Sequence, residues 1–252
     1  MCSSDLPIQP VDSRTQRASI GAVFQGIARP DRDWITAIVG SDDPTRVAIL
    51  WTGATDRLTV NENEFFNRDV GAVYTTNGPV PGNLAQTAVT LDPRAGYYRA
   101  NGRVVLVADV LTDTSAPVLG RRLGADARKG LVLTNVDGPL RARHVLLGVY
   151  PDTWAGTRAV FRRFGCTGGT VAVTLGSDGH LFRRPQLVQA YEDGRLVAGT
   201  RVPPTRDVVL RVPLRPRSGG VCEVTFRIPH TRVPGPQDPR HLGIRFVAFG
   251  SG

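Results

Sequence analysis

Residues 186–200 read Gln186-Leu187-Val188-Gln189-Ala190-Tyr191-Glu192, then Asp193-Gly194, then Arg195-Leu196-Val197-Ala198-Gly199-Thr200. Two apolar-rich runs meet at an Asp-Gly pair, which suits the positive φ angles of a tight hairpin turn. The stretch therefore reads as two antiparallel strands. Similar runs lie on both sides of it: His144 to Tyr150, Ala159 to Phe164, Thr170 to Leu175, Val208 to Val212, Val221 to Ile228 and Gly243 to Phe249. Turn segments divide several of them, among them Ser177-Asp178-Gly179, Pro203-Pro204 and Ser218-Gly219-Gly220. About eight short strands in a row predict a β-sandwich of jelly-roll type for residues 141–252.

Upstream, the pattern alternates. Trp34, Ile35, Ile38 and Val39 fall at near-helical spacing within Asp31 to Val39, with Asp31 or Asp33 placed to cap the start. A buried strand, Val47 to Trp51, follows. Asn61 to Val70 reads as a second helix, with Glu62 and Glu64 near its positive end and Gly71 to stop it. Further strands are expected at Ala72 to Thr75, Ala88 to Leu91, Val104 to Leu111 and Leu131 to Val136. This alternation predicts a small Rossmann-like α/β unit over residues 17–140, and so an α+β chain overall. No Gly-x-Gly-x-x-Gly turn accompanies it, so dinucleotide binding has no support.

The composition fits 252 residues of globular protein: 41% hydrophobic, 21% charged, with 28 Gly and 19 Pro between short apolar runs. The net charge is +9, yet Lys129 is the only lysine among 31 basic residues. Scattered arginines without interleaved aromatics do not make a nucleic-acid surface. The arginines read as solvating the surface and compensating acids, and the minority reading is attraction to anionic lipid headgroups or phosphate-bearing glycans. No apolar run approaches the roughly 18 residues of a membrane span. Met1 to Pro10 has no signal-peptide pattern. Residues 1–16 are expected to be disordered or artefactual, because Cys2-Ser3-Ser4-Asp5-Leu6 matches the translated end of a sequencing adapter.

Cys166 and Cys222 both lie beside glycine turns. They read as a disulfide between Cys166 and Cys222, which implies an oxidising compartment, with two free buried thiols as the alternative. Two cysteines without histidines at ligand spacing fall short of a zinc site, so no metal is expected. His144, His180, His230 and His241 form no metallohydrolase motif, and there is no Gly-x-Ser-x-Gly elbow. Ser177, Asp178 and His180 share one turn, the wrong arrangement for a triad. Glu62 and Glu64, two apart on a helix, cannot straddle one glycosidic bond. Trp154, in Tyr150-Pro151-Asp152-Thr153-Trp154-Ala155-Gly156, is the tryptophan best placed to stack on a sugar. Asp238 and Arg240 lie in the loop entering the last strand, open to loop bracing or to sugar contact. No catalytic residue and no cofactor is assigned.

Several segments together resemble a known family. Val47 to Trp51, Asn63-Glu64-Phe65-Phe66-Asn67-Arg68 with Val70-Gly71-Ala72-Val73-Tyr74, and Asp238-Pro239-Arg240-His241-Leu242-Gly243-Ile244-Arg245-Phe246 are similar to the soluble C-terminal region of actinobacterial polytopic membrane glycosyltransferases of the GT-C class. The similarity runs from about Arg17 to Phe249. It implies an upstream membrane domain of the same native protein and a location on the extracytoplasmic face of the plasma membrane. It also implies a polyprenyl-phosphate-linked sugar donor and a catalytic carboxylate in that upstream domain, outside this chain. The expected role is that of an accessory domain that helps orient a glycan acceptor or lipid-linked donor. The alternative is a free-standing secreted carbohydrate-binding or adhesion module.

Overall fold

In the computed structural model, the described residues are 34–40, 43, 45–53, 63, 67, 69–78, 84–114 and 116–251. They fall into two compact units. One holds the described residues up to Asp92 with Tyr97–Ala142, and the other holds Pro93–Gly96 with Arg143 onward. Among the described residues, no helix is long and apolar enough to cross a membrane.

The first unit contains α1 (Trp34–Val39) and nine strands: β1 (Val47–Trp51), β2 (Val70–Thr75), β3 (Gln86–Ala88), β4 (Thr90–Leu91), β5 (Tyr98–Ala100), β6 (Arg103–Val104), β7 (Leu106–Asp113), β8 (Arg121–Asp126) and β9 (Leu131–Pro139). Six of them form one mixed sheet in the order β3-β2-β1-β7-β9-β8. β1 pairs in parallel with β2 and β7, and is buried along its whole length, as its unbroken apolar run Val-Ala-Ile-Leu-Trp requires. Ile35 of α1 joins Val47, Ile49, Leu111 and Leu133 in the core. α1 also lies close on β8, because a Cβ on Gly124 would run into Ile38 Cδ1.

The Rossmann-like α/β expectation is overturned. One six-residue helix stands against seventeen strands among the described residues, so the described part of the chain is almost wholly β rather than α+β. The physical reason is visible between β8 and β9. Asp126 Oδ1 accepts from the backbone N–H groups of Arg128 and Lys129, and Gly130 has φ +65°. That turn folds the chain straight back into an antiparallel strand, where a Rossmann unit needs a crossover helix. The expected first helix begins in residues outside those described and survives as α1. The second, Asn61 to Val70, lies mostly outside them, as do Glu62, Glu64 and Cys2; Val70 opens β2.

The second unit is β-sandwich-like. Its strands are β10 (His144–Val149), β11 (Trp154–Phe164), β12 (Gly169–Gly176), β13 (Gln186–Glu192), β14 (Arg195–Val202), β15 (Val208–Leu214), β16 (Val221–Arg227) and β17 (Ile244–Ser251). The path runs β14-β13-β16-β11-β17-β12-β15, with β10 added on β11. β11 serves both layers. Arg158 to Phe164 pairs with β16, whereas Trp154 and Ala155 pair with β17. Because β11 turns this corner and β14 comes alongside β15, the jelly-roll expectation gives way to a near-barrel.

Alternation along each strand fills the interior. Phe161, Val173, Val188, Val212, Val224, Phe226, Ile244 and Phe246 are all nearly inaccessible to solvent. Phe226 meets Phe246 edge-on at 5.1 Å, and Phe161 stacks on Phe249 at 4.8 Å. Cys166 and Cys222 are bonded within this core, with Cα atoms 5.7 Å apart. Of the two readings of the cysteines, the disulfide is the one the structure contains.

Candidate functional site

The end of the second unit where β11 begins brings the three sequence-selected residues into one neighbourhood. Tyr150 N–H donates to Trp154 O at 2.7 Å, and Thr153 N–H donates to Tyr150 O at 2.9 Å. Thr153 has φ +68°, a turn conformation that a β-branched residue seldom adopts. Facing this turn is the long connection between β16 and β17. It is held as a hairpin by mutual backbone bonds of Arg232 and Leu242, both 2.8 Å. Gly243 lets it approach β11: its N–H reaches Ala155 O at 2.7 Å, and a Cβ there would lie 2.7 Å from Gly156 O and 2.8 Å from Ile228 Cγ2.

Arg240 ties the two segments together. Its Nε and Nη2 donate to the two carboxylate oxygens of Asp238 at 2.8 and 2.7 Å. Its Nη1 donates to both oxygens of Asp152 at 3.0 and 2.9 Å. The guanidinium also lies 5.0 Å over the Tyr150 ring. The Asp238 bonds, with Asp152 second, raise the Arg240 pKa, and the Arg240 bonds hold the Asp238 carboxyl below its ordinary range. Every guanidinium nitrogen of Arg240 thus has a partner within the cluster, in the fork geometry that suits carboxylates. Tyr150 and Asp152 were not selected from sequence as functional; only their membership of the Trp154 turn pointed to them.

Trp154 itself is in register with Arg245 of β17, and the next pair, Ala155 with Ile244, is wholly buried. Directly opposed residues share a face, so Trp154 and Arg245 both point away from the core. Trp154 is partly exposed, and its indole N–H donates to no described residue. Arg245 is next opposite Gly176 of β12. A Cβ on Gly176 would lie 2.7 Å from Asp207 Oδ1, 3.3 Å from Val247 Cγ2 and 3.5 Å from Arg245 Nη2. The Asp207 carboxylate and the Arg245 guanidinium therefore converge over Gly176, without coming within ion-pair distance.

The outer face beyond them is low. Thr174 is opposite Val209 and Ala248, and Ala172 is opposite Arg211 and Gly250. Val209 and Val247 are 54% and 44% exposed, so this face presents methyl groups to solvent. The result is a flat platform with an indole at one edge and, beside it, a carboxylate and a guanidinium that no described residue pairs. Sequence reading missed Asp207 and Arg245, which only the β12–β17 register brings together.

Other sequence candidates have structural roles. Asp178 Oδ1 accepts from His180 N–H at 2.6 Å, the turn role expected of it. His144 packs against Phe161 and Phe249 at 5.4 and 5.5 Å. Burial, helped by Arg143 and Arg163, pushes its pKa down to about 4. No group of three or more potential metal ligands occurs among the described residues.

No family model matches the chain. No curated protein matches it either. Two solved structures share parts of it at low identity. One is a glycoside hydrolase family 43 arabinoxylan arabinofuranohydrolase from Bacillus subtilis in complex with cellotetraose, 13% identical, with a TM-score of 0.25 over 67% of this chain. The other is the M60 catalytic domain with CBM51-1 and CBM51-2 domains from Clostridium perfringens ZmpB, 11% identical, with a TM-score of 0.22 over 66% of this chain. The chain spans 41% and 16% of the lengths of those proteins. Likenesses of this size carry no argument about this chain.

Proposed function

We propose that the protein is a carbohydrate-binding accessory domain of a membrane glycosyltransferase, orienting a glycan acceptor or a lipid-linked sugar on the extracytoplasmic side. The observation that carries the carbohydrate part is the platform of Trp154, Arg245 and Asp207. A sugar ring has an apolar C–H face and a rim of hydroxyls. An indole offers a broad apolar surface for the first. A carboxylate and a guanidinium without described partners offer charge-assisted hydrogen bonds to the second. The small residues Gly176, Thr174, Ala172 and Ala248 leave the surface flat, which suits an extended glycan chain lying across the strands better than a single enclosed sugar.

Arg240, Asp238 and Asp152 act in this reading by fixing the turn that carries Trp154. The membrane-glycosyltransferase part rests on the resemblance of three segments, one of which, Asp238 to Phe246, supplies the loop and strand of the platform. The Cys166–Cys222 bond supports an oxidising, extracytoplasmic setting.

Microcalorimetry of the full chain against linear oligosaccharides of pyranose and furanose sugars tests the carbohydrate reading. Binding that falls at least about tenfold in Trp154→Ala and in Asp207→Asn supports it. Binding that neither variant changes, or none across the panel, refutes it.

A further inference from the structure

A second cluster of charge lies on the outer face of the other layer of the sandwich. Arg158 of β11 is directly opposite Arg227 of β16, and Arg227 is directly opposite Gln189 of β13. The flanking pair, Ala159 with Phe226, is buried, so Arg158, Arg227 and Gln189 point outward in one row. Gly199 of β14 ends the row without a side chain.

Like charges placed directly opposite on one sheet face disfavour folding. Further along the same face the fold neutralises its arginines. Arg162 Nε donates to Glu223 Oε2 at 2.6 Å, Arg217 Nη1 lies 3.0 Å from Glu223 Oε1, and Arg217 also pairs with Asp193. The Arg158–Arg227 row has no such partner among the described residues: neither guanidinium has a described carboxylate within 4 Å, and both are exposed. Arg227 is nonetheless positioned, its guanidinium 4.7 Å over the Tyr191 ring. The ring face holds that group in place and leaves its N–H groups to donate elsewhere.

We propose that Arg158, Arg227 and Gln189 form a phosphate-binding site. Two adjacent guanidinium groups match the oxygens of one phosphate, each donating N–H bonds to it, and the anion removes their mutual repulsion. The Gln189 carboxamide adds a neutral donor. The shared chemistry is a phosphate mono- or diester, carried by a lipid headgroup or by a soluble phosphorylated sugar. This site is on the opposite layer from the Trp154 platform and does not depend on it.

Titration of the full chain with inorganic phosphate tests the proposal. The expected result is binding that weakens at least about tenfold in Arg158→Gln and in Arg227→Gln, while Arg211→Gln on the other layer leaves it unchanged. Phosphate should also raise the melting temperature of the unaltered chain and not of the double variant, a readout that first confirms each variant is folded. Co-sedimentation with phosphatidylcholine vesicles separates the sources. Retention that needs added phosphatidylglycerol and both arginines assigns the site to a lipid headgroup, whereas phosphate binding without retention assigns it to a soluble ester. Absence of phosphate binding, or binding that the double variant keeps, overturns the proposal.

Discussion

Replacing both cysteines, as Cys166→Ala with Cys222→Ala, should remove a large part of the second unit's stability. The bond joins residues 56 apart in sequence. Between them lie β12, β13, β14 and β15, which belong to both layers. In the chain-entropy account, closing a loop of this size restricts the unfolded chain by about 4 kcal/mol. Both cysteines are also buried, at 3% and 0% exposure, so truncation leaves a small void that adds roughly 1 kcal/mol. The total of about 5 kcal/mol is comparable to the entire stability of many domains. Urea unfolding followed by circular dichroism should show the midpoint shifting strongly with little change in slope, and heating should show a fall of roughly 10–20 °C. Reduction of the unaltered chain should reproduce most of the effect. A loss below about 1 kcal/mol would refute the entropy argument, and would mean that strand pairing already gathers this loop in the unfolded ensemble.

Two further perturbations follow from the packing. Gly243→Ala places a Cβ 2.7 Å from Gly156 O and 2.8 Å from Ile228 Cγ2, and the backbone oxygen cannot rotate away. It should cost about 1–3 kcal/mol and weaken glycan binding by loosening the Arg240 loop, as thermal melting with calorimetry would show; an unchanged melting temperature argues against the close approach. His144 is partly buried, with a pKa lowered to about 4 against an unfolded value near 6.5, so the folded state disfavours its charged form. Its contribution is fully present above pH 6.5 and is lost as pH falls from there towards 4. His144→Phe should flatten that part of the stability–pH curve, and a slope identical to that of the unaltered chain contradicts the assignment.

The β-sandwich was legible because its strands alternate. Val188, Ala190 and Glu192 turn inward while Leu187, Gln189 and Tyr191 turn outward, and Asp193-Gly194 supplies the left-handed turn at φ +49° and +79°. In the first unit, buried strands such as Val47–Trp51 carry no alternation. A continuous apolar run fits any sheet with both faces covered, so it did not distinguish a Rossmann layer from the mixed sheet that forms. The single disulfide could be named because only Cys166 and Cys222 flank glycine turns in strand-rich sequence.

At the candidate site, Trp154 stood out by its turn, but its partners did not. Arg245 and Asp207 are remote in sequence and meet only through the β11–β17–β12 register, which a bulge between Thr174 and Leu175 sets. Asp238 and Arg240 were visible as a polar loop pair. Their involvement with Asp152 and Tyr150, which makes them a brace for the Trp154 turn, required the folded path.

The three tryptophans make a direct test possible. Trp51 is 5% exposed, and Trp34 donates its indole N–H to Asn63 Oδ1 at 3.2 Å, whereas Trp154 is partly exposed and its N–H has no acceptor among the described residues. Each indole N–H gives its own signal in a nitrogen-15 spectrum, and Trp154→Phe assigns the one in question. Titration with a bound oligosaccharide should move the Trp154 signal progressively and leave those of Trp34 and Trp51 in place. A glycan that binds while the Trp154 signal stays fixed would contradict the platform as the carbohydrate site.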